Sequence, residues 1–106
     1  MRLAFFGDVV GRPGRQAVRD HLPNVRAALA LDFVVVNAEN AAGGFGLTEA
    51  IAGEFFNAGA DCLTLGDHAW DQRETLTYIA REPRLLRPLN YPDTAQTPGQ
   101  GAHLFV

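Results

Sequence analysis

The feature that most constrains the fold of this chain is a strand-then-helix alternation that occurs three times. Apolar runs that suit strands occupy residues 3–6, 33–36 and 62–65, and helical spacing of apolar residues follows them. The second run is apolar at every position, which is typical of a strand covered on both faces of its sheet. Units of this kind, about 30 residues apart, indicate βαβ connections. The predicted fold class is therefore α/β with a parallel sheet.

Helix boundaries are predicted from spacing, prolines and caps. In the first helical segment Pro23 interrupts the pattern, so we expect a break near Leu22 and a second short helix from Pro23. The next helix is expected to start after an N-cap at Thr48 and to stop at Gly59. A third helix is expected to open with a capping box at Asp71.

The C-terminal segment is expected to be irregular beyond Pro83 and to end in a strand over residues 102–106. Because no turn or cap follows that strand, we expect a larger protein to continue beyond it. Residues 1–106 are then a single domain or a fragment of one, the N-terminal part of a larger unit. An open sheet edge is prone to pairing, so a homo-oligomer is one expected state.

Composition excludes several classes of protein. The longest apolar stretches, about five residues, fall far short of the roughly 20 that a membrane span needs. The N-terminal apolar run stops at Gly7, too early for a secretory signal, and Cys62 is the only cysteine, so a cytoplasmic location is expected. The net charge of -3 argues against direct nucleic-acid binding. All nine basic residues are arginine, which excludes a P-loop lysine.

Each predicted strand is followed by a hard oxygen donor. Asp8 follows the first strand, Glu39 and Asn40 follow the second, and Asp67 and His68 follow the third. Right-handed crossovers bring the ends of parallel strands to one edge, so we expect the three carboxylates to converge within a few ångströms. Their mutual repulsion calls for compensation by cations. Because a pair of ions can activate water and hold a phosphoryl group, the pattern predicts a two-metal phosphoesterase site.

Each donor also has an ordinary structural explanation. An aspartate at a strand end often caps a helix or forms a turn, which is an open alternative for Asp8. Glu39 alone suits a solvated loop, Asn40 alone suits a turn, and His68 alone suits a contact with a backbone carbonyl. Structural or solvated roles are expected for Arg12, Arg15, His21, Asp71 and His103. The conjunction of three acids at three equivalent strand ends favours the metal site.

Several segments resemble the YmdB-like metallophosphoesterases, a branch of the calcineurin-like phosphoesterase superfamily. They are residues 7–11, 36–46, 65–71, 84–88 and 90–92. The resemblance implies a four-layer αββα sandwich, of which this chain forms about the first half. It also implies two divalent or trivalent metal ions, iron or manganese. The substrates implied are cyclic nucleotide phosphodiesters such as 2′,3′-cyclic AMP.

The resemblance also implies a role for each candidate residue. Asp8 and Asn40 correspond to ligands of the first metal. Glu39 corresponds to the bridging ligand and Asp67 to a ligand of the second metal. His68 corresponds to the proton donor to the leaving oxygen. Asp67 stands where the family usually has asparagine, and the added charge should hold the metal more tightly and weaken its Lewis acidity.

Two other hypotheses remain open at this point. The family's further metal-binding histidines would lie beyond Val106, so a non-catalytic module that binds nucleotide or phosphate is an alternative. Phosphate would then sit on backbone N–H groups of the glycine-rich loops at helix N-termini. A purely structural α/β domain is the third hypothesis, and it predicts Asp8, Glu39 and Asp67 too widely spaced to share an ion.

Overall fold

A computed structural model describes all 106 residues of the chain. The elements, in chain order, are β1 Leu3–Phe6, α1 Gly11–Ala28, β2 Phe33–Asn37, α2 Glu49–Ala58, β3 Cys62–Thr64, α3 Thr75–Arg81 and β4 Leu85–Leu86. The strands form one parallel sheet in the order β1-β2-β3-β4. The predicted α/β class with βαβ units is confirmed. No helix has the length and apolar character needed to cross a membrane.

All three helices cover the same face of the sheet. One core joins Val34 and Leu63 of the sheet to Leu22 of α1, Phe55 of α2 and Ile79 of α3. Right-handed crossovers between strands in sequential order place every helix on one side, which explains this arrangement. The chain is therefore a helix layer on a sheet layer, as expected for about half of a four-layer sandwich.

The opposite face of the sheet carries apolar side chains that are only partly covered. Leu3 and Phe5 of β1 are 58% and 60% exposed. Near them the ring of Phe105 meets Phe33 edge-on, with 5.0 Å between centroids. An apolar sheet face is normally buried against another layer, so this face is suited to further packing.

Helix α1 runs through Pro23 without interruption, so the predicted break near Leu22 is wrong. Proline removes the hydrogen bond to the carbonyl of Arg19, but Pro23 and Arg19 are both exposed, so that carbonyl is accessible to water. Leu22 is buried in the core, and Arg26 beyond the proline donates to the carbonyl of Gly59 at 2.6 Å. Tertiary contacts on both sides of the proline keep the helix continuous.

Helix α2 begins and ends where the sequence predicts. The Thr48 hydroxyl accepts the N–H of Ile51 at 3.2 Å, which satisfies one free donor of the first turn. Gly59 ends the helix in the left-handed region at φ 119°. Only glycine adopts that region without a steric cost, so both boundaries follow from local sequence.

Helix α3 starts later than predicted, at Thr75, and Asp71 does not cap it. The Asp71 carboxylate instead contacts the ring of His68. Thr75 is buried, and its hydroxyl donates to the carbonyl of Leu47 at 2.7 Å. The start of α3 therefore coincides with a contact to a loop that is distant in sequence. A local capping pattern does not contain that contact, which explains why it predicts the wrong start for the helix.

The C-terminal segment corrects two further predictions. Leu85–Leu86 forms β4 beside β3, in a segment predicted to be irregular. A two-residue strand is too short to show a period of its own. Residues 102–106 form no strand although one was predicted. Phe105 packs by its side chain, but these residues add no hydrogen-bonded partner to the sheet.

Cys62 lies buried in β3, and burial raises the pKa of its thiol to about 11. Because the thiolate is the reactive form, we expect iodoacetamide to label native Cys62 very slowly at about pH 8. Unfolding in urea should restore the rate of a free thiol. Mass spectrometry of timed samples measures both rates, and equal rates in the two states would contradict the buried position.

Candidate functional site

The ends of β1, β2 and β3 lie side by side along one edge of the sheet. The register pairs Phe6 with Val36 and Asn37 with Thr64. The segments that carry the candidate donors leave the sheet directly after these residues. Adjacent strands are about 4.8 Å apart, so the ends of β1 and β3 are separated by about 10 Å with β2 between them.

Asp8 and Asn40 form a pair at the first two strand ends. The Asn40 amide nitrogen donates to both carboxylate oxygens of Asp8, at 3.0 Å each. The carbonyl of Asn40 accepts the N–H groups of Gly11 at 3.0 Å and Gly44 at 2.9 Å. Backbone bonds thus fix Asn40, which in turn holds the Asp8 carboxylate beside it.

Glu39 extends from the end of β2 to the end of β3. Its carboxylate lies directly against the α-carbon of Gly66, and a Cβ at that position would overlap both carboxylate oxygens. One of those oxygens lies 3.4 Å from the backbone N–H donor of His68. The carbonyl of Glu39 accepts the N–H of Gly46 at 2.6 Å. The missing side chain at Gly66 is therefore what admits Glu39 to this position.

His68 is held by two neighbours. Its ring Nδ1 lies 2.6 Å from the carboxylate of Asp71. When Nδ1 carries a proton it donates to Asp71, which leaves Nε2 for another partner. Phe45 meets the imidazole edge-on, with 6.1 Å between ring centroids. The sequence analysis does not predict the contact between Asp71 and His68. Their three-residue spacing could have indicated it.

The three carboxylates belong to a row of neighbouring strand ends and do not gather into one cluster. No three His, Cys, Asp or Glu side chains are close enough together to form a metal-binding group. Asp8 pairs with Asn40, Glu39 lies against Gly66, and Asp67 is exposed beyond β3. The predicted convergence of Asp8, Glu39 and Asp67 on one point is not seen, because a whole strand separates β1 from β3. This spacing is the one that the purely structural hypothesis predicts.

Arg15 also differs from its prediction as a solvated residue. Its guanidinium donates to the carbonyl of Ala41 at 2.7 Å, which ties α1 to the loop that follows Asn40. Arg12 and Arg73 are exposed side chains. Arg15 therefore stabilises the site indirectly, because it links helix α1 to the loop that follows Asn40.

The remaining histidines lie apart from the strand ends. His21 lines a cavity of about 280 Å³ between β1 and α1, whose walls include Val18 and Leu22 and which extends to Asp8. His103 packs its ring edge-on against Phe105, with 4.8 Å between centroids.

Comparison with known proteins identifies the family. The family model described as "YmdB-like protein" matches residues 4–106. The chain belongs to the YmdB-like family. The family resemblance found in the sequence is thereby confirmed.

Relatives of this YmdB-like chain are longer than the chain itself. A 2′,3′-cyclic-nucleotide 2′-phosphodiesterase of Bacillus subtilis strain 168 is 45% identical over 101 residues, which cover 95% of this chain and 38% of that protein. The crystal structure of a hypothetical protein from Thermus thermophilus has a TM-score of 0.89 at 44% identity, covering 100% of this chain and 40% of that one. A novel phosphatase from Mycoplasma pneumoniae has a TM-score of 0.89 at 33% identity, covering 98% of this chain and 38% of that one.

The donors of this YmdB-like chain suit hard metal ions. Aspartate, glutamate and asparagine supply oxygen ligands, and imidazole nitrogen stands beside them, a set that manganese and iron accept. The space above Gly66 holds the Glu39 carboxylate at the end of β3. The Asn40 amide now turns its nitrogen to Asp8, so ligation through its oxygen requires rotation of the amide group. With that rotation the residue types present are compatible with bound metal ions.

Proposed function

We propose that the protein is a metal-dependent phosphodiesterase that hydrolyses cyclic nucleotide phosphodiesters, such as 2′,3′-cyclic AMP, through a dinuclear site. The observation that carries the proposal is the Glu39 carboxylate, which reaches from the end of β2 to Gly66 and the N–H of His68, while the next residue, Asn40, pairs with Asp8. The substrate class is supported by the Bacillus relative, whose name is 2′,3′-cyclic-nucleotide 2′-phosphodiesterase.

We infer that this chain supplies the N-terminal part of the enzyme and that further ligands come from the rest of the protein. The chain spans 38% of the length of the Bacillus relative, and one apolar face of its sheet is only partly covered. Both facts support a further protein layer on that face. The proposed location is the cytoplasm, and self-association into a homo-oligomer is tested by analytical ultracentrifugation.

In this proposal the row of donors holds two iron or manganese ions. Asp8 and Asn40 bind one ion, Asp67 binds the other, and Glu39 bridges the two. When bound, the ions supply a water activated for attack and neutralise charge on the phosphoryl oxygens. The chain itself fixes the positions of the donors. The backbone hydrogen bonds that the carbonyl groups of Glu39 and Asn40 accept contribute to this.

His68 acts on the leaving group in this proposal. Hydrolysis adds water across one P–O bond of the cyclic diester, and the ribose oxygen that leaves must gain a proton. His68 donates that proton from Nε2, because its Nδ1 is engaged by Asp71 at 2.6 Å. Asp71 holds the ring in position through this contact, so it is a positioning residue.

The decisive experiment measures hydrolysis of 2′,3′-cyclic AMP by the complete protein with manganese or iron. Asp8→Asn and His68→Ala should each lose most of the turnover, and EDTA should abolish it. Asp93→Asn and His103→Ala serve as matched controls, because Asp93 is fully exposed and His103 lies on the C-terminal segment. Unchanged turnover in both Asp8→Asn and His68→Ala would contradict the assignment of a phosphodiesterase site to these residues.

Asp71→Asn is expected to lower the turnover of 2′,3′-cyclic AMP about tenfold with little change in KM, since an amide that turns its NH2 group to Nδ1 no longer holds the ring with Nε2 as the proton donor. Bis(4-nitrophenyl) phosphate, whose leaving group needs no proton, should be hydrolysed at nearly the normal rate. Steady-state kinetics on both substrates measure the contrast. An equal loss on both would mean that Asp71 maintains the fold of the site and does not assist proton donation.

Non-catalytic phosphate binding finds less support in the structure. That alternative relies on free N–H groups in the glycine-rich loops at helix N-termini. In the loop before α2, the N–H groups of Ala42, Gly44, Phe45 and Gly46 all donate to carbonyl groups of the same loop. These four donors are occupied, so this loop offers few free N–H groups to a phosphate. Calorimetry with inorganic phosphate separates the two functions, because phosphate binding that survives EDTA would favour the non-catalytic module.

A further inference from the structure

Phe45 stands exposed at the candidate site. Its side chain is 62% exposed, yet its ring meets the imidazole of His68 edge-on at 6.1 Å between centroids. Single exposed apolar residues are common on protein surfaces and by themselves indicate nothing. Phe45 differs from such residues in two respects. Its ring lies beside the proposed proton donor, and the loop that carries it is rigid.

The loop that carries Phe45 is closed on itself by backbone bonds. The N–H of Phe45 donates to the carbonyl of Ala42 at 3.0 Å, and the N–H of Gly46 donates to the carbonyl of Glu39 at 2.6 Å. Gln72 donates to the Phe45 carbonyl at 2.7 Å. One short loop therefore holds both the proposed bridging ligand, Glu39, and the exposed ring.

Gly46 lets this loop approach the segment that follows β3. It has a positive φ of 79°, and a Cβ on it would lie 2.9 Å from the carbonyl oxygen of His68. The backbone of Gly46 therefore lies in close contact with the backbone of His68. A ring placed in this way is preorganised and loses little conformational entropy when a ligand stacks on it.

We propose that Phe45 is the platform on which the nucleobase of the substrate stacks. The inference rests on the proposed function and narrows its substrate class to phosphodiesters that carry a nucleobase. If His68 protonates the leaving ribose oxygen, the ribose lies at His68 and the base lies one sugar ring away, within range of the neighbouring Phe45. Stacking on a phenyl ring uses the π-face that every base offers, so purines and pyrimidines are both accepted.

The test compares Phe45→Ala with Phe45→Trp in the complete protein. Phe45→Ala should raise the KM for 2′,3′-cyclic AMP about tenfold to a hundredfold, and Phe45→Trp should retain the normal value. The cyclic phosphate of ethylene glycol, which has no base, should be hydrolysed equally well by both variants and by the unaltered protein. Leu89→Ala is the control, because Leu89 is a similarly exposed apolar residue, at 73%.

Three results would overturn the inference. An equal loss on both substrates would show that Phe45 acts only through His68. A lowered melting temperature with an unchanged KM would show that Phe45 packs against other protein. A KM raised by Val18→Trp, and not by Phe45→Ala, would place the base in the cavity between β1 and α1.

A failure of the proposed enzyme function can be distinguished from a failure of the inference about Phe45. If the unaltered protein hydrolyses neither substrate, the enzyme assignment fails and calorimetry with adenosine 2′-monophosphate decides the role of Phe45. Binding weakened about tenfold or more in Phe45→Ala, and retained in Phe45→Trp, supports the stacking platform. Equal binding by all three proteins overturns it.

Discussion

Gly66→Ala is expected to lower the turnover of the complete protein about a hundredfold or more, because small displacements of a reacting group have effects of that size. A Cβ at position 66 would overlap both oxygens of the Glu39 carboxylate. The backbone of Gly66 does not occupy the left-handed region, so alanine adopts its conformation without strain. The substitution therefore displaces the Glu39 carboxylate and leaves the fold intact.

Hydrolysis of 2′,3′-cyclic AMP and metal content by mass spectrometry measure this effect together. Gly53→Ala is the matched control, since a Cβ there meets nothing within 4 Å and alanine favours the helix. Glu39→Asp combined with Gly66→Ala shortens the carboxylate by one methylene and should recover part of the lost turnover. Retention of full activity by Gly66→Ala alone would show that the position of Glu39 is unimportant.

The architecture could be predicted because its determinants are local. Apolar runs with β-branched residues define β2, and the caps at Thr48 and Gly59 define α2, each within a few neighbouring residues. Strands that alternate with helices then leave few topologies, because crossovers are right-handed. Parallel pairing in the sheet follows from these two facts, whereas the strand order β1-β2-β3-β4 is known only from the structure.

The errors occur where distant contacts override local preference. Pro23 signals a break, but Leu22 and Arg26 anchor α1 on both sides of it. Asp71 suits a helix cap, but the ring of His68 engages it. Arg15 suits solvent, but the carbonyl of Ala41 accepts its guanidinium. Each contact depends on the folded arrangement of segments, which a local pattern does not contain.

For the candidate site, the sequence indicates which strand ends carry the candidate donors but not how those donors are arranged. Topology alone places Asp8, Glu39 and Asp67 at one sheet edge. Their spacing depends on the strand order, which puts β2 between β1 and β3. The row that results seats Glu39 against Gly66, a contact that no spacing in the sequence reveals.

Phe55→Ala is expected to destabilise the fold by about 3–5 kcal/mol, the range for removal of a fully buried phenylalanine. Phe55 has no exposed surface and belongs to the core that joins the sheet to all three helices. The loss is a large part of the roughly 5–15 kcal/mol that holds a domain of this kind folded. Urea denaturation of the protein, followed by circular dichroism, measures the change in the free energy of unfolding.

Two other phenylalanines provide matched comparisons for Phe55→Ala. Phe56, its neighbour on α2, is half-buried and lies 3.8 Å under the guanidinium carbon of Arg84, so Phe56→Ala should cost less. Phe45→Ala should change the free energy of unfolding by no more than about 0.5 kcal/mol, as for an exposed residue. If Phe45→Ala cost as much as Phe55→Ala, its ring would be buried against protein and could not receive a nucleobase. The stability series therefore tests the core and the proposed stacking platform together.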